Sequence, residues 1–435
     1  MKILEKLSRE EAQKAVKRPA GMQGTSFAQL RNSVDQIMEQ VKTRGDKALF
    51  ELTEKLDGVA IHSIQVHDAE IEAAMLLIDK DLKKALRTAK RNIEKFHQSQ
   101  VEEVRKVETS SGVTCWRESR PIESVGLYIP GGRAPLISTV LMLGVPAVLA
   151  GCRQIILCSP PDAHGQIHPA ILYAASLCGI REVYRVGGSQ AIAAMAYGTE
   201  SIPKVDKIFG PGNQYVTEAK MMVQSAGTAI DMPAGPSEVL VWADDQANPD
   251  FVAADLLAQA EHGPDSQAVL ICESKTFAEK VNRAVGQQKS HLSRESTIDA
   301  ALEHSPIVVA DRVSAIQLIN DYGPEHLIIQ RERHHYDLSD IQHAGSVFVG
   351  PYSPETAGDY ASGTNHTLPT NGYARMHSGV SLDSFVKKIT FQELTQDGLK
   401  KLSGTLQLLA DAESLDAHRN AVDVRLKYLD ETVNS

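Results

Sequence analysis

Short apolar runs alternate with longer stretches of helical periodicity from residue 124 onward. Residues 124–129 read as a strand, then come Pro130-Gly-Gly132 and an apolar helix. Residues 154–158 form the next strand and precede Pro160-Pro-Asp162 and a helix through 168–178. Strand 182–186 leads into Gly187-Gly188 and a helix through 192–197, and strand 205–209 leads into Gly210-Pro-Gly212 and a helix through 223. Strands of this length, apolar throughout and separated by helices, predict a parallel, doubly wound sheet. A second run of the same kind begins near 238–242, with later strands at 268–272, 307–309, 326–329 and 346–349. Before residue 115 the periodicity is helical, with an amphipathic stretch at 71–100, and after residue 390 it is helical again.

The predicted fold class is therefore α/β: two doubly wound, incomplete Rossmann-like parallel-sheet domains plus small helical N- and C-terminal regions. The expected division is an N-terminal helical arm (1–22), a discontinuous first α/β domain (23–123 and 237–380), a second α/β domain (124–236) and a C-terminal helical tail (381–435). A length of 435 residues agrees with more than one core. A hydrophobic fraction of 42% and a charged fraction of 23% belong to a soluble globular chain. The net charge of −10 argues against nucleic acid as a main partner. Five irregularly spaced cysteines without a CxxC pair read as reduced thiols, which fits the cytoplasm. The uncharged stretch 134–152 approaches the length of a membrane span. Its two prolines and two glycines, with a strand close behind, make it a buried helix instead, so no membrane partner is expected.

Candidate chemistry lies at particular points of this frame. Three glycine turns (130–132, 187–188 and 210–212) each follow a strand and open a helix. On a doubly wound sheet such turns gather at the carboxyl edge, where backbone N–H groups and helix N-termini suit a phosphate. None matches GxGxxG, so the nucleotide site they predict is of non-standard type. Gln259 and His262 stand three apart in a predicted helix and share a face. An imidazole and a carbonyl donor together make half of a zinc site. Glu325 and His326 sit between Gly323-Pro324 and a strand, where neighbours point to opposite sides and suit two proton-transfer tasks. Read alone, Ser237 is a turn or cap serine and Asp359 a turn-forming loop acid.

The blocks Ile230-Asp-Met-Pro-Ala-Gly-Pro-Ser-Glu238, Gln259-Ala-Glu-His262, Tyr322-Gly-Pro-Glu-His326, Gly358-Asp-Tyr-Ala-Ser-Gly-Thr-Asn-His366 and Ala412-Glu-Ser-Leu-Asp-Ala-His418 occur in this order along the chain. In order and separation they closely resemble the histidinol dehydrogenase family, over nearly the whole chain from about residue 20 to 430.

That resemblance implies an enzyme oxidising L-histidinol through the aldehyde to L-histidine with two NAD, in the last steps of histidine biosynthesis. It implies Glu325 and His326 as the acid–base pair, and Gln259, His262, Asp359 and His418 as ligands of one Zn²⁺. This oxygen and nitrogen set could also take Mn²⁺ or Co²⁺. It further implies Ser237 and Glu413 as substrate contacts beside the ligands and His326, and Tyr128, Gln190 and Asn213 as NAD contacts, with His366 bordering the pocket. The usual ribose-binding acid has only a weak candidate, Asp162. The family is a homodimer whose tail crosses to the partner, so shared active sites are expected. On a straight helix, Glu413 and His418 would lie about 140° apart, and share a face only if a helix begins between them. Two alternatives stay open: a paralogous dehydrogenase of another small alcohol such as a sulfonated diol, and a zinc- and nucleotide-binding regulatory protein without turnover.

Overall fold

The computed structural model describes residues 1–19, 25–131, 135–233, 235–332 and 338–433. Gly132 of the first glycine turn, Ala134 of the uncharged stretch and Ala234 of the Ala-Gly-Pro-Ser-Glu block lie outside the described residues. The chain forms two compact units, one of 1–100 with 122–385 and one of 101–121 with 386–435.

Two parallel sheets build the first unit. In the five-stranded sheet the order is Glu182–Tyr184, Gln154–Cys158, Ser124–Tyr128, Lys207–Phe209, Ala229–Ile230. Every neighbouring pair is parallel. The chain leaves Ser124–Tyr128 in one direction and returns to its other side at Lys207–Phe209, which creates a switch point between those two strands. The six-stranded sheet has the order Ile3–Leu4, Ile307–Val309, Gln267–Cys272, Glu238–Ala243, His326–Gln330, Ser346–Val349, again parallel throughout. Glu238–Ala243, Gln267–Cys272 and His326–Gln330 are buried at every residue, as a sheet covered on both faces requires. The uncharged stretch is the buried helix Ile137–Ala150, ended by Gly151 at φ 83°.

Several expectations are corrected. The expected division joins helices Thr25–Arg44 and Asp46–Asp57 to 237–380, but Val34, Met38, Val41, Leu49 and Leu52 share a core with Ile192 and Met195 of the five-stranded domain. Ile71, Leu86 and Ile93 likewise pack with Val125, Leu127 and Leu141. Burial thus assigns 25–98 to the 124–236 sheet. The amphipathic stretch 71–100 is divided between Asp68–Leu77 and Lys80–Gln98, because Asp79 caps the second helix through Leu82 N–H. The N-terminal arm is not purely helical: Ile3–Leu4 extends the six-stranded sheet before helix Arg9–Ala15.

The second unit is described by itself. Val386–Leu394, Val113–Pro121 and Val107–Ser110 form an antiparallel sheet, so the tail is not wholly helical either. Helices Gln396–Ala412 and Asp416–Val433 follow. Glu413 ends the first of them, Ser414 turns the chain at φ 58°, and His418 lies in the first turn of the second. A helix does begin between Glu413 and His418, so the straight-helix separation does not apply. Among the described residues, no helix is long and apolar enough to cross a membrane.

Candidate active site

A cavity of about 760 Å³ in the first unit takes one wall from each sheet. The five-stranded sheet contributes its carboxyl edge, through Pro130, Gly210, Pro211 and Gly212. The six-stranded sheet contributes its amino edge: Ser237 precedes Glu238–Ala243, Ser266 precedes Gln267–Cys272, and Glu325 precedes His326–Gln330. The carboxyl-edge rule thus locates the glycine turns, but Glu325 and His326 sit at the opposite end of their own sheet.

At the glycine wall, Gly210 adopts φ 127°, and a Cβ there would lie 2.1 Å from the Tyr128 carbonyl oxygen. Only glycine fits. This turn is fixed from below by an ion pair that the sequence reading missed, Lys220 with Asp231, whose side chains are 4% and 1% exposed. Lys220 Nζ donates to the Gly210 carbonyl (2.8 Å), and Gly210 N–H donates to Asp231 (2.8 Å). Asn213 caps helix Gln214–Ser225, accepting from Tyr215 and Val216 N–H, and stands exposed at the cavity. Tyr128 and Gln190 are buried and are not among the lining residues. The Tyr128 hydroxyl accepts from Gly188 N–H at 3.1 Å, and burial pushes its pKa up to about 12. Gln190 Oε1 is buried without a hydrogen-bond partner among the described residues. Asp162 accepts from the N–H groups of His164 and Gln166, closing its own turn.

At the acid–base wall, Glu325 and His326 do not diverge as the extended-segment argument expects. Glu325 lies just before the strand's first residue, and both line the cavity, with Glu325 Oε2 3.6 Å from His326 Nδ1. Both side chains rest on Glu238. Its N–H donates to Glu325 Oε2 at 2.9 Å, and its carbonyl lies 3.2 Å from His326 Nδ1. A carbonyl only accepts, so this contact makes Nδ1 the protonated nitrogen and Nε2 the lone-pair nitrogen. Nε2 is buried and has no hydrogen-bond partner among the described residues. Burial holds the ring neutral, bringing its pKa down to about 3, and raises the Glu325 carboxyl well above its usual range, aided by the charges of Glu238 and Asp359. His366 also lines the cavity, its Nε2 3.4 Å from Thr139 Oγ1, and burial lowers its pKa to about 4.

Beside this pair, His262, Glu355 and Asp359 place one ligand atom each within 4.8 Å of one another. His262 lies beyond the end of helix Pro249–Ala260, not within it, yet its N–H still reaches the Gln259 carbonyl at 3.2 Å. Asp359 is in the short helix Glu355–Tyr360, not a loop. Glu355, unnoticed in the sequence, stands one turn before it. Two acids at i, i+4 repel, and that spacing was the available signal. Burial raises Asp359 to about 7 and Glu355 well above the carboxylate range, the latter also through the charge of Asp359. Gln259 is fully buried, and neither atom of its amide has a hydrogen-bond partner among the described residues. An imidazole, two crowded carboxylates and an unpaired buried amide are the donors a hard or borderline cation takes, so the residues fit a metal. Glu413 and His418 belong to the second unit and are exposed there.

Two parallel sheets meeting glycine turns, an adjacent buried Glu–His pair and a nest of metal-type donors at one cavity define the site of an α/β protein. The chain belongs to the histidinol dehydrogenase family, whose profile matches residues 21–426. It is accordingly an oxidoreductase. Histidinol dehydrogenase from Bacteroides thetaiotaomicron is 54% identical over 430 residues, covering 99% of this chain and 100% of that one. The enzyme of the same name from Aliivibrio fischeri is 54% identical, covering 98% and 96%. The crystal structure of histidinol dehydrogenase from Elizabethkingia anophelis superposes with a TM-score of 0.96 at 52% identity, over 99% of each chain.

Proposed function

We propose that this chain oxidises L-histidinol through L-histidinal to L-histidine, the last steps of histidine biosynthesis, with two NAD and one Zn²⁺ per site. The observation that carries this reading is the state of His326: Nδ1 is committed to the Glu238 carbonyl, and Nε2, on a ring that lines the cavity, has no hydrogen-bond partner among the described residues. Each oxidation removes one hydride and one proton from the substrate. His326 Nε2 takes the hydroxyl proton in both. Glu325, beside it, activates the water that hydrates the aldehyde. Bound NAD supplies the hydride acceptor. Asn213 and the 210–212 turn would hold its phosphates; Tyr128, whose hydroxyl accepts from Gly188 N–H, and Gln190 would act from behind the Gly187-Gly188 turn, since both are buried away from the cavity.

Gln259, His262, Asp359 and His418 hold the zinc, which orients the substrate's imidazole and amino nitrogens when bound. Glu355 shares the nest and offers a further oxygen donor to it. Ser237 and Glu413 contact the substrate. The protein works in the cytoplasm as a homodimer, each tail completing the partner's site. The exposed Leu408 (72%) and Leu409 (59%) of the tail helix support a partner there.

The test separates the two oxidations. His326→Ala slows both, by roughly 10²–10⁴-fold for a lost acid–base group. Glu325→Ala chiefly impairs oxidation of the aldehyde. Equal loss of the alcohol step alone in both variants overturns the assignment.

A further inference from the structure

Glu238 is the last residue of the Ala-Gly-Pro-Ser-Glu block, and the proposed chemistry gives it no role. Its backbone nonetheless holds both members of the acid–base pair, the N–H on Glu325 and the carbonyl on His326. Its side chain, 3% exposed, accepts from Glu325 N–H at 3.3 Å. A carboxylate buried to that extent needs a counter-charge. Arg18, from the segment after helix Arg9–Ala15, supplies it by a two-pronged contact, Nε to Oε2 and Nη2 to Oε1 at 2.6 Å. The fork is aimed by three further contacts. Nη2 donates to the carbonyls of Tyr322 (2.9 Å) and Gly323 (3.3 Å), and the guanidinium lies 3.8 Å above the Tyr322 ring. Tyr322 in turn donates to Gln267 Oε1 at 2.8 Å, its oxygen 3.3 Å from Glu238 Oε2. The guanidinium thereby ties strand Glu238–Ala243 to the turn that delivers Glu325.

We infer that Arg18 and Glu238 are positioning residues for Glu325 and His326, the Arg18 fork fixing the Glu238 backbone on which both side chains rest. Without Arg18, the Glu238 carboxylate is buried and unpaired. It must then take a proton or turn outward, and either releases Glu325 N–H and loosens the peptide that carries both contacts. The geometry is planar and bidentate, so lysine supplies the charge but not the fork. The inference rests on the reading that Glu325 serves aldehyde oxidation.

The experiment uses zinc-loaded full-length Arg18→Ala, Arg18→Lys and Glu325→Ala, assayed for histidinal oxidation well below each protein's unfolding temperature. Arg18→Ala is expected to lose roughly 100-fold in kcat, the scale of a misplaced catalytic group, with KM and zinc content held. Arg18→Lys falls between it and wild type. Millimolar ethylguanidinium restores kcat of Arg18→Ala saturably, which lost stability alone does not produce, whereas ethylammonium does so poorly. Wild-type kcat in Arg18→Ala overturns the inference, as does a loss that ethylguanidinium leaves untouched. If Arg18→Ala does not fold, wild-type kcat in Arg18→Lys overturns it. Intact aldehyde oxidation in Glu325→Ala would instead remove the reading beneath it.

Discussion

Gln259→Leu tests the metal nest without reference to turnover. Gln259 is fully buried, and neither amide atom has a partner among the described residues. A buried amide left unsatisfied costs about 1–3 kcal/mol. The metal-free wild type carries that cost, and a leucine side chain in its place would remove it at nearly the same volume. The variant should therefore be as stable as wild type without metal, or more stable by up to about 3 kcal/mol. Zinc shifts the balance towards wild type by about 2.3 kcal/mol. At a zinc concentration 100 times the dissociation constant, wild type gains about 2.7 kcal/mol, and a variant binding 100-fold more weakly gains only about 0.4 kcal/mol. The assay is urea unfolding of chelated and zinc-loaded protein, followed by fluorescence and far-ultraviolet circular dichroism. A metal-free variant less stable than wild type by more than about 1 kcal/mol would refute the reasoning, because the amide must then have a protein partner. So would undiminished stabilisation of the variant by zinc.

Asp359 retains a proton in the metal-free fold up to about pH 7, whereas the unfolded chain releases it near the ordinary aspartate value of 3.8. Its contribution to stability is thus lost as pH rises through that window. Metal-free Asp359→Asn should gain on wild type from about pH 4 to 7 and level off above, and a flat difference in urea midpoint across that range would count against it. Lys220→Met strands the 1%-exposed Asp231 carboxylate, which should cost about 3–5 kcal/mol in chemical denaturation. Adding Asp231→Asn should recover part of this and leave KM for NAD raised; an unchanged KM in both variants would show that the 210–212 turn does not need the clamp. His262→Ala and His418→Ala subunits, each inactive alone, should regain roughly a quarter of wild-type activity when refolded together, because one site in each mixed dimer is intact. No recovery would mean that His418 serves its own subunit.

The elements legible in the sequence were those whose signal is local. Strands such as 154–158 and 268–272 are apolar runs between turn residues, and they recur in the structure as Gln154–Cys158 and Gln267–Cys272. The Gly210 turn was legible because its φ and the nearby Tyr128 carbonyl exclude any side chain. What escaped depends on distant partners. Val386–Leu394 alternates weakly and becomes a strand by pairing with Val113–Pro121, more than 260 positions earlier. Ile3–Leu4 is two residues long and has meaning only beside Ile307–Val309. Helices 25–98 showed an apolar face but not which sheet it covers. In the site, Glu325, His326 and Ser237 were placed by motif, and the structure brings them to one cavity with His262 and Asp359. Glu355 was missed although its spacing from Asp359 was visible. Arg18 carried no local signal at all, since its role arises only where strand Glu238–Ala243 meets Tyr322.

The central claim is a zinc-dependent double oxidation, and NADH absorbance tests it most directly. Purified protein is given limiting L-histidinol and excess NAD, as prepared, after prolonged chelation, and after zinc is restored. The account predicts two NADH for each histidinol consumed, with L-histidine as the product, loss of the signal on chelation and its return with zinc. One NADH per histidinol with aldehyde accumulating, or full activity in protein shown to be free of metal, would contradict it.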